Sequence, residues 1–179
     1  MRRASCAIPM SDRKVQGRPA RGMTLVELLI VIVALGILAA IVFPKYNSIE
    51  SEARAKSAAS NVRRVRELIQ VHRHSGLYPL NEQGVPEEIH AEWFRGTGIP
   101  EHSWTGRVMR IQRIAAGATT LYPLEKTFDL NDANAVNAWY NLDNGRFCIL
   151  VPPRADDADT LALFNLANSC EAASLDQTQ

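Results

Sequence analysis

The sequence lacks the residue patterns that carry catalysis. It contains no glycine-rich phosphate loop and no readable Ser/His/Asp arrangement. His72 and His74 lie two positions apart on a predicted helix, so they cannot share a face. His90 and His102 have no acid or cysteine at metal-ligand spacing. We therefore expect neither an enzyme nor a bound cofactor.

A net charge of either sign is also missing, because the whole chain carries only +1. Residues 1–22 are basic, with six Lys and Arg against Asp12 alone. Residues 23–179 hold 14 Lys and Arg against 18 Asp and Glu, so the basic excess belongs to the first segment. Bulk charge therefore gives no indication of a nucleic acid partner.

The chain is predicted to be globular with an added N-terminal segment. It has 46% hydrophobic residues, no internal repeat and no low-complexity tract. Residues 1–22 are basic and broken by prolines, and we interpret them as a leader. Residues 23–43 carry one charge, Glu27, and as a helix would be about 30 Å long, which matches a bilayer core. Lys and Arg are denser before this run than after it, so the leader is expected in the cytoplasm and the body outside.

A second helical pattern follows the apolar run. Residues 44–75 are amphipathic, and their apolar face is expected at Ile49, Ala53, Val62, Val65, Ile69 and His72. Pro44 is predicted to kink this helix rather than to end it. The Ser75-Gly76 pair supplies the predicted stop.

Residues 76–179 are predicted to form an α+β head with a small antiparallel sheet. Leu142–Gly145 is a hairpin turn signal, and the candidate strands are residues 107–114, 119–122, 138–141 and 146–151. A short helix is expected over residues 86–94. A second is expected after three acids that suit a helix start: Asp156, Asp157 and Asp159. The same three acids are weak calcium candidates, although their spacing matches no known calcium loop.

Gly22 and Glu27 carry the sharpest functional signal. A cut between Gly22 and Met23 would remove the basic charges and spare the apolar helix, whereas an ordinary signal peptide loses its hydrophobic region. A carboxylate within hydrocarbon costs roughly 2.5–3.5 kcal/mol, so Glu27 needs a partner. The amine that the cut creates on Met23 is one candidate, on the same chain or on a neighbour. Tolerance of the acid by the helix dipole is the alternative.

The segment GMTLVELLIVIVALGILAAIVFPKY resembles the N-terminal helix of type IV pilins and type II secretion pseudopilins, over about residues 21–75. The resemblance implies a long N-terminal helix packed on a β-sheet head. It also implies cleavage between Gly22 and Met23 by prepilin peptidase, a membrane aspartyl peptidase, and N-methylation of Met23. The first mature residue of that family is more often phenylalanine. Glu27 is the fifth residue of the mature chain, and we expect it to act in filament assembly.

The expected role is that of a structural subunit in a type II secretion pseudopilus or a type IV pilus. The alternative is a minor pilin that acts as an adhesin or binding module at a filament tip. Expected partners are other copies of the chain, other pilin-like subunits, prepilin peptidase, the inner-membrane assembly machinery and, before assembly, membrane lipid. The expected location is the bacterial inner membrane, crossed once with the head in the periplasm, and then a periplasmic or extracellular filament.

The branch of the family stays open at the level of sequence. Residues 77–84 are similar to a stretch of the major pseudopilins, whereas a C-terminal region bounded by cysteines is similar to that of true type IV pilins. An even pair, Cys148 and Cys170, in an exported chain predicts a disulfide, and two free buried thiols are the alternative. Met1 and Met10 are both candidate translation starts.

Overall fold

The computed structural model describes residues 23–179, apart from the side chains of residues 43–48. The predicted leader, with Gly22 and Cys6, lies outside the described residues. The chain divides into two compact units, Met1–Phe43 and Pro44–Gln179.

Helix α1 spans Leu25–Ser75. It therefore runs through Pro44, which confirms the prediction that this proline does not end the helix, while the predicted kink stays a prediction. In the first unit the helix is exposed, and its window Leu25–Val42 has a mean hydropathy of 3.1. The helix ends at the predicted place, because Gly76 adopts a left-handed conformation with φ +66° that glycine reaches at no steric cost.

The second part of α1 supplies one wall of the core in the second unit. Its buried side chains are spaced by threes and fours, as a single helical face requires, and are Ala55, Ala58, Val62, Val65 and Ile69. The prediction was wrong for Ile49, which is 57% exposed, and for Ala53, which is also exposed. The buried face begins at Ala55, where the head covers the helix.

A three-stranded sheet forms the centre of the head, in the order β1 (Ile111–Ile114), β2 (Ala138–Asn141) and β3 (Phe147–Ile149). β2 and β3 are antiparallel and are joined by the predicted hairpin turn, where Gly145 has φ +76°. β1 and β2 are parallel, so the sheet is mixed and the prediction of an antiparallel sheet was wrong in this respect. The reason is the connection over residues 115–137, which is long enough for a crossover instead of a tight turn.

Two short elements differ from their predictions. Residues 119–122 contain no strand, and Leu121 and Tyr122 instead donate their backbone N–H groups to Thr178 O. The helix expected over residues 86–94 is reduced to one 3₁₀ turn, Ala91–Phe94, which buries Trp93 and Phe94. Both segments are irregular because side chains and backbone outside the sheet satisfy their polar groups.

Helix α2 spans Asp157–Asn168, and Asp156 is its N-cap as predicted. Its last residue, Asn168, is fully buried and joins α2 to β3. The Asn168 side chain accepts from Ile149 N at 2.8 Å and donates to Ile149 O at 2.9 Å. The end of α2 therefore covers the edge of β3 that does not pair with β2.

Candidate functional site

The start of α1 is a reciprocal hydrogen-bonded cap. Thr24 donates its backbone N–H to Glu27 Oε2 at 2.8 Å and its hydroxyl to the same oxygen at 3.1 Å. In return the Glu27 N–H donates to Thr24 Oγ1 at 3.2 Å. This is the capping box of a helix N-terminus, which pairs two backbone donors that have no partner within the helix. Glu27 thus has a partner within its own first turn.

The capping box was missed by the sequence reasoning, which weighed only the helix dipole and a cation for Glu27. The signal was readable, because threonine followed three positions later by glutamate and then an apolar run is the sequence form of the box. The box makes the acid less costly in an isolated chain. It does not exclude a second partner, because a carboxylate can accept several hydrogen bonds.

The apolar part of α1 has no cover within its unit. Its large side chains from Leu25 to Val42 are between 41% and 86% exposed. Among the described residues this is the one helix long and apolar enough to cross a membrane. Met23, the predicted first residue after cleavage, is 66% exposed. A surface of this kind requires lipid or other apolar helices around it.

Of the two cysteines of the head, Cys148 contacts Arg66 and Cys170 contacts Asn165. The guanidinium donates to Phe147 O at 2.8 Å and to Asn168 O at 2.8 Å, and its Nη2 lies 3.7 Å from Cys148 Sγ. Cys170 Sγ lies 3.3 Å from Asn165 Oδ1. Burial raises the pKa of both the Cys148 and the Cys170 thiols. The structure has both as free thiols, so their pairing stays a prediction.

The acids at the start of α2 serve the helix. Asp156 Oδ1 accepts from Asp159 N at 2.7 Å, and the remaining acid of the trio, Asp157, stands in the first turn, where the helix dipole favours a negative charge. Within residues 23–179 no group of three or more His, Cys, Asp or Glu side chains is arranged to hold a metal ion. The capping role accounts for these acids, which stay weak candidates for calcium.

The histidines of the head are packing residues. His72 stacks on Trp93 with ring centroids 4.2 Å apart, and His90 stacks on Tyr78 at 4.9 Å. His102 is fully buried, and its Nε2–H donates to Leu150 O at 3.0 Å. Burial lowers the pKa of His102 to about 4, against that hydrogen bond, which raises it. The ring of His102 therefore favours the neutral form in the folded head.

Lys126 is a buried cation that was not recognisable as special from sequence alone. It is 2% exposed, and its ammonium donates to Pro123 O at 3.1 Å, to Gln177 O at 2.7 Å and to Leu175 O. Three carbonyl oxygens match the three donors of an ammonium. These hydrogen bonds from Lys126 therefore hold the segment around residues 175–177 against the rest of the head.

The beginning of the chain matches a family of known proteins. The prokaryotic N-terminal methylation motif matches residues 17–43, which cover the predicted cut, the capping box and the apolar helix. The resemblance to pilins and pseudopilins is confirmed. The chain is also 32% identical, over 72 residues, to type II secretion system core protein G of Pseudomonas aeruginosa.

That similarity covers 40% of this chain and 51% of the relative. The chain thus spans about half the length of the curated protein that it matches. No solved structure gives a significant match. The comparisons therefore support the pilin-like N-terminus, while the α+β head rests on its own coordinates.

Proposed function

We propose that the chain is a structural pilin-like subunit, processed by prepilin peptidase and assembled through α1 into a filament. The observation that carries the proposal is the coincidence of two features on the same residues. The methylation motif covers residues 17–43, and Leu25–Val42 of that range is an uncovered apolar helix. A chain with this N-terminus can remain inserted in a membrane before assembly and can then pack against copies of itself.

Processing follows from the order of the segments. Prepilin peptidase cuts between Gly22 and Met23, which removes a leader of formal charge +5 and leaves the apolar helix as an anchor. The peptidase then methylates the new amine on Met23. The head lies outside the cytoplasmic membrane, on the side opposite to the leader, and the chain carries no catalytic role of its own.

Assembly draws its specificity from packing and polar contacts. Lipid tails are as apolar as leucine, so moving α1 from lipid into a filament yields no hydrophobic driving force. Glu27 is the one charged side chain in the apolar stretch, and it meets the Met23 amine of a neighbouring copy in the assembled state. Before assembly, the capping box keeps the Glu27 carboxylate hydrogen-bonded to Thr24 in the first turn of α1.

The type II secretion branch is the favoured setting. The supporting observation is the similarity to a core protein of that system, together with residues 77–84, which are similar to a stretch of major pseudopilins. A type IV pilus is the second setting, and the same α1 serves both. The partners are then other copies, other pilin-like subunits and the inner-membrane assembly machinery.

The N-terminus of the membrane-bound protein tests the proposal. We expect mass spectrometry of the native chain to find Met23 as the first residue, with one added methyl group. Gly22→Asp should block the cut, because a bulky charged residue replaces the small one at the scissile bond. Gly17→Asp, the matched change elsewhere in the leader, should leave the cut unaffected. A first residue beyond Ala40 would indicate ordinary signal peptidase and would contradict the filament function.

A further inference from the structure

A large groove lies on one face of the sheet and has a volume of about 1140 Å³. Gln112 of β1 and Trp139 of β2 lie opposite each other in the sheet, so their side chains share this face, and both line the groove. Two further aromatic side chains, Tyr122 and Phe128, also line it and are almost fully buried. A concave, largely apolar surface of this size is the common form of a binding site.

The charge of the groove is negative. Three exposed acids line it, namely Glu125, Asp129 and Asp132, and its lining contains no Lys, Arg or His. Counting only the side chains that the structure describes, none of these acids forms an ion pair. One oxygen each of Asp129 and Asp132 accepts a backbone hydrogen bond within its own turn, which leaves the other oxygen for a partner.

Two arginines lie near one of the three acids without pairing with it. Arg107 and Arg110 line a separate cavity of about 180 Å³, to which Asp132 also contributes. Neither guanidinium is within ion-pair distance of Asp132, and neither Glu125 nor Asp129 lines that cavity. The uncompensated negative charge of the groove therefore lies above all at Glu125 and Asp129.

The three carboxylates do not converge on one point. Within residues 23–179 no group of three or more His, Cys, Asp or Glu side chains is arranged to hold a metal ion. Cations that pair with these acids must therefore be separate groups, held apart from one another. Basic side chains on one extended polypeptide meet this requirement, because alternate residues of a strand present side chains on the same face about 7 Å apart.

Trp139 adds an unused hydrogen-bond donor. It is 4% exposed, and its indole N–H has no hydrogen-bond partner in the part of the chain that the structure describes. Buried indole N–H groups usually have an acceptor, and the carbonyl oxygen of a peptide in the groove would supply one. Beside it the groove is lined by three exposed apolar side chains, Ile114, Leu124 and Val136. A ligand that satisfies all of these groups has carbonyl oxygens, positive charges and apolar side chains.

We propose that the groove binds an extended segment of another polypeptide that carries both basic and apolar side chains. Basic side chains of the segment pair with Glu125, Asp129 and Asp132, because their charges are complementary. Its apolar side chains pack on Leu124 and the aromatic rings, and a main-chain carbonyl accepts from the Trp139 indole. This binding belongs to the head alone and goes beyond filament assembly.

Binding of a labelled octapeptide that alternates lysine with valine tests the proposal. The protein is the full chain in an uncharged detergent, the readout is fluorescence anisotropy, and detergent alone is the blank. We expect saturable binding, and binding weaker by about tenfold or more for a peptide with glutamate in place of lysine.

The acids are tested with two triple variants of equal charge. Glu125→Gln, Asp129→Asn and Asp132→Asn together should weaken binding of the basic peptide by about tenfold, since three exposed ion pairs are lost. The amide oxygens of the new Asn residues can still accept the backbone hydrogen bonds of their turns. The control changes three exposed acids outside the groove to Gln, namely Glu67, Glu82 and Glu92, and should bind normally.

Leu124→Ser separates binding in the groove from simple charge attraction. Leu124 is 73% exposed, so the change should leave the fold intact, yet it removes an apolar contact and should weaken binding by roughly threefold. Leu77→Ser, at a position 77% exposed and outside the groove, should bind normally. In a chain labelled with ¹⁵N at tryptophan, the peptide should shift the indole signal of Trp139, which Trp139→Phe identifies. The signal of Trp93, which stacks on His72, should stay unchanged.

Three results would overturn the proposal. The first is no saturable binding of the basic peptide, or the same affinity in both triple variants. The second is normal binding by Leu124→Ser together with an unmoved Trp139 signal, which would reduce the interaction to surface charge. The third is a shift of the Trp139 signal by raised protein concentration alone, which would assign the groove to a second copy of the chain.

Discussion

The two parts of α1 obey the same helical geometry in different surroundings. From Leu25 to Val42 the helix is apolar on every side and exposed throughout its unit. After residue 48 it has one buried face, and ion pairs between residues four apart lie on the exposed side, such as Glu50 with Arg54 at 2.7 Å and Glu52 with Lys56 at 2.6 Å. The difference teaches that the second part is stabilised by its own head, whereas the first part depends on what lies outside the chain.

Glu27 gives the largest expected effect, because it is the polar exception in the part that depends on its surroundings. Glu27→Ala should spare membrane insertion and the cut after Gly22, since it removes an unfavourable carboxylate from the bilayer. Assembly should fail, because removing one partner of a buried pair costs about 3–5 kcal/mol at each subunit. Electron microscopy and membrane fractionation should show processed monomer in the membrane and few or no filaments.

Thr24→Ala is the matched control for Glu27→Ala. It breaks the same capping box from the other side, at a cost of about 0.5–2 kcal/mol, but keeps the carboxylate. Filaments should therefore persist in reduced amount. Equal filament loss in both variants would show that Glu27 acts through the cap alone, and normal filaments in Glu27→Ala would show that the acid is merely tolerated.

Truncation of one side chain in each part of α1 tests the comparison directly. Ile69→Ala should lower the free energy of unfolding of the head by about 2–5 kcal/mol, because Ile69 is fully buried. Leu29→Ala, at a position 59% exposed, should change it by less than about 0.5 kcal/mol. Denaturant unfolding in detergent, followed by tryptophan fluorescence of the head, measures both. Similar losses from the two variants would contradict the division of roles.

The predicted disulfide between the two cysteines should affect the stability of the head alone. If Cys148 and Cys170 are joined outside the cytoplasm, reduction should lower the head's free energy of unfolding by roughly 3 kcal/mol on the chain-entropy account. The measurement is denaturant unfolding with and without reductant, with the double Cys-to-Ser variant as the control that should not respond. Alkylation of both thiols in native, unreduced protein would refute the pairing.

His102 gives the smallest expected effect. The pKa of His102 is about 4 in the folded head and ordinarily 6.5, so the unfolded chain binds the proton more readily. Stability from this residue is complete above about pH 6.5 and falls as the pH decreases toward 4. Between pH 7 and pH 5 the loss should be about 2 kcal/mol. Urea unfolding at both pH values measures it.

His102→Phe is the control for the pH effect. It keeps a ring against Phe128, whose centroid lies 4.8 Å from that of His102, but cannot titrate. The variant should be less stable at pH 7, because Leu150 O loses its donor. Its loss of stability between pH 7 and pH 5 should be smaller by about 2 kcal/mol. An unchanged pH slope would assign the effect to other groups, such as His72, whose pKa burial also lowers.

The sequence predicted those elements whose determinants lie close together in the chain. The helix around Glu27, the hairpin at Leu142–Gly145 and the cap at Asp156 all depend on residues within a few positions of one another. The parallel pairing of β1 with β2 was missed, because it depends on where a long crossover returns. Lys126 was missed for a related reason, since two of its three acceptors lie about fifty positions away in the sequence.

The same distinction holds for the candidate site. The apolar run was readable because the pilin-like N-terminus is a local signal, and the cut before Met23 stays a prediction. The exposure of Ile49 was not readable, because it depends on which part of α1 the head leaves uncovered.

The ammonium of Lys126 takes the place of a bound cation. It stands among the carbonyl oxygens of Pro123, Leu175 and Gln177, a position in which many proteins hold a dissolved cation, yet it is covalently tied to the chain and cannot diffuse away. Its occupancy therefore does not vary with the salt composition of the surrounding solution. Deleting residues 175–179 would leave the Lys126 ammonium with Pro123 O as its one remaining acceptor. Residues 175–179 therefore contribute to the stability of the fold.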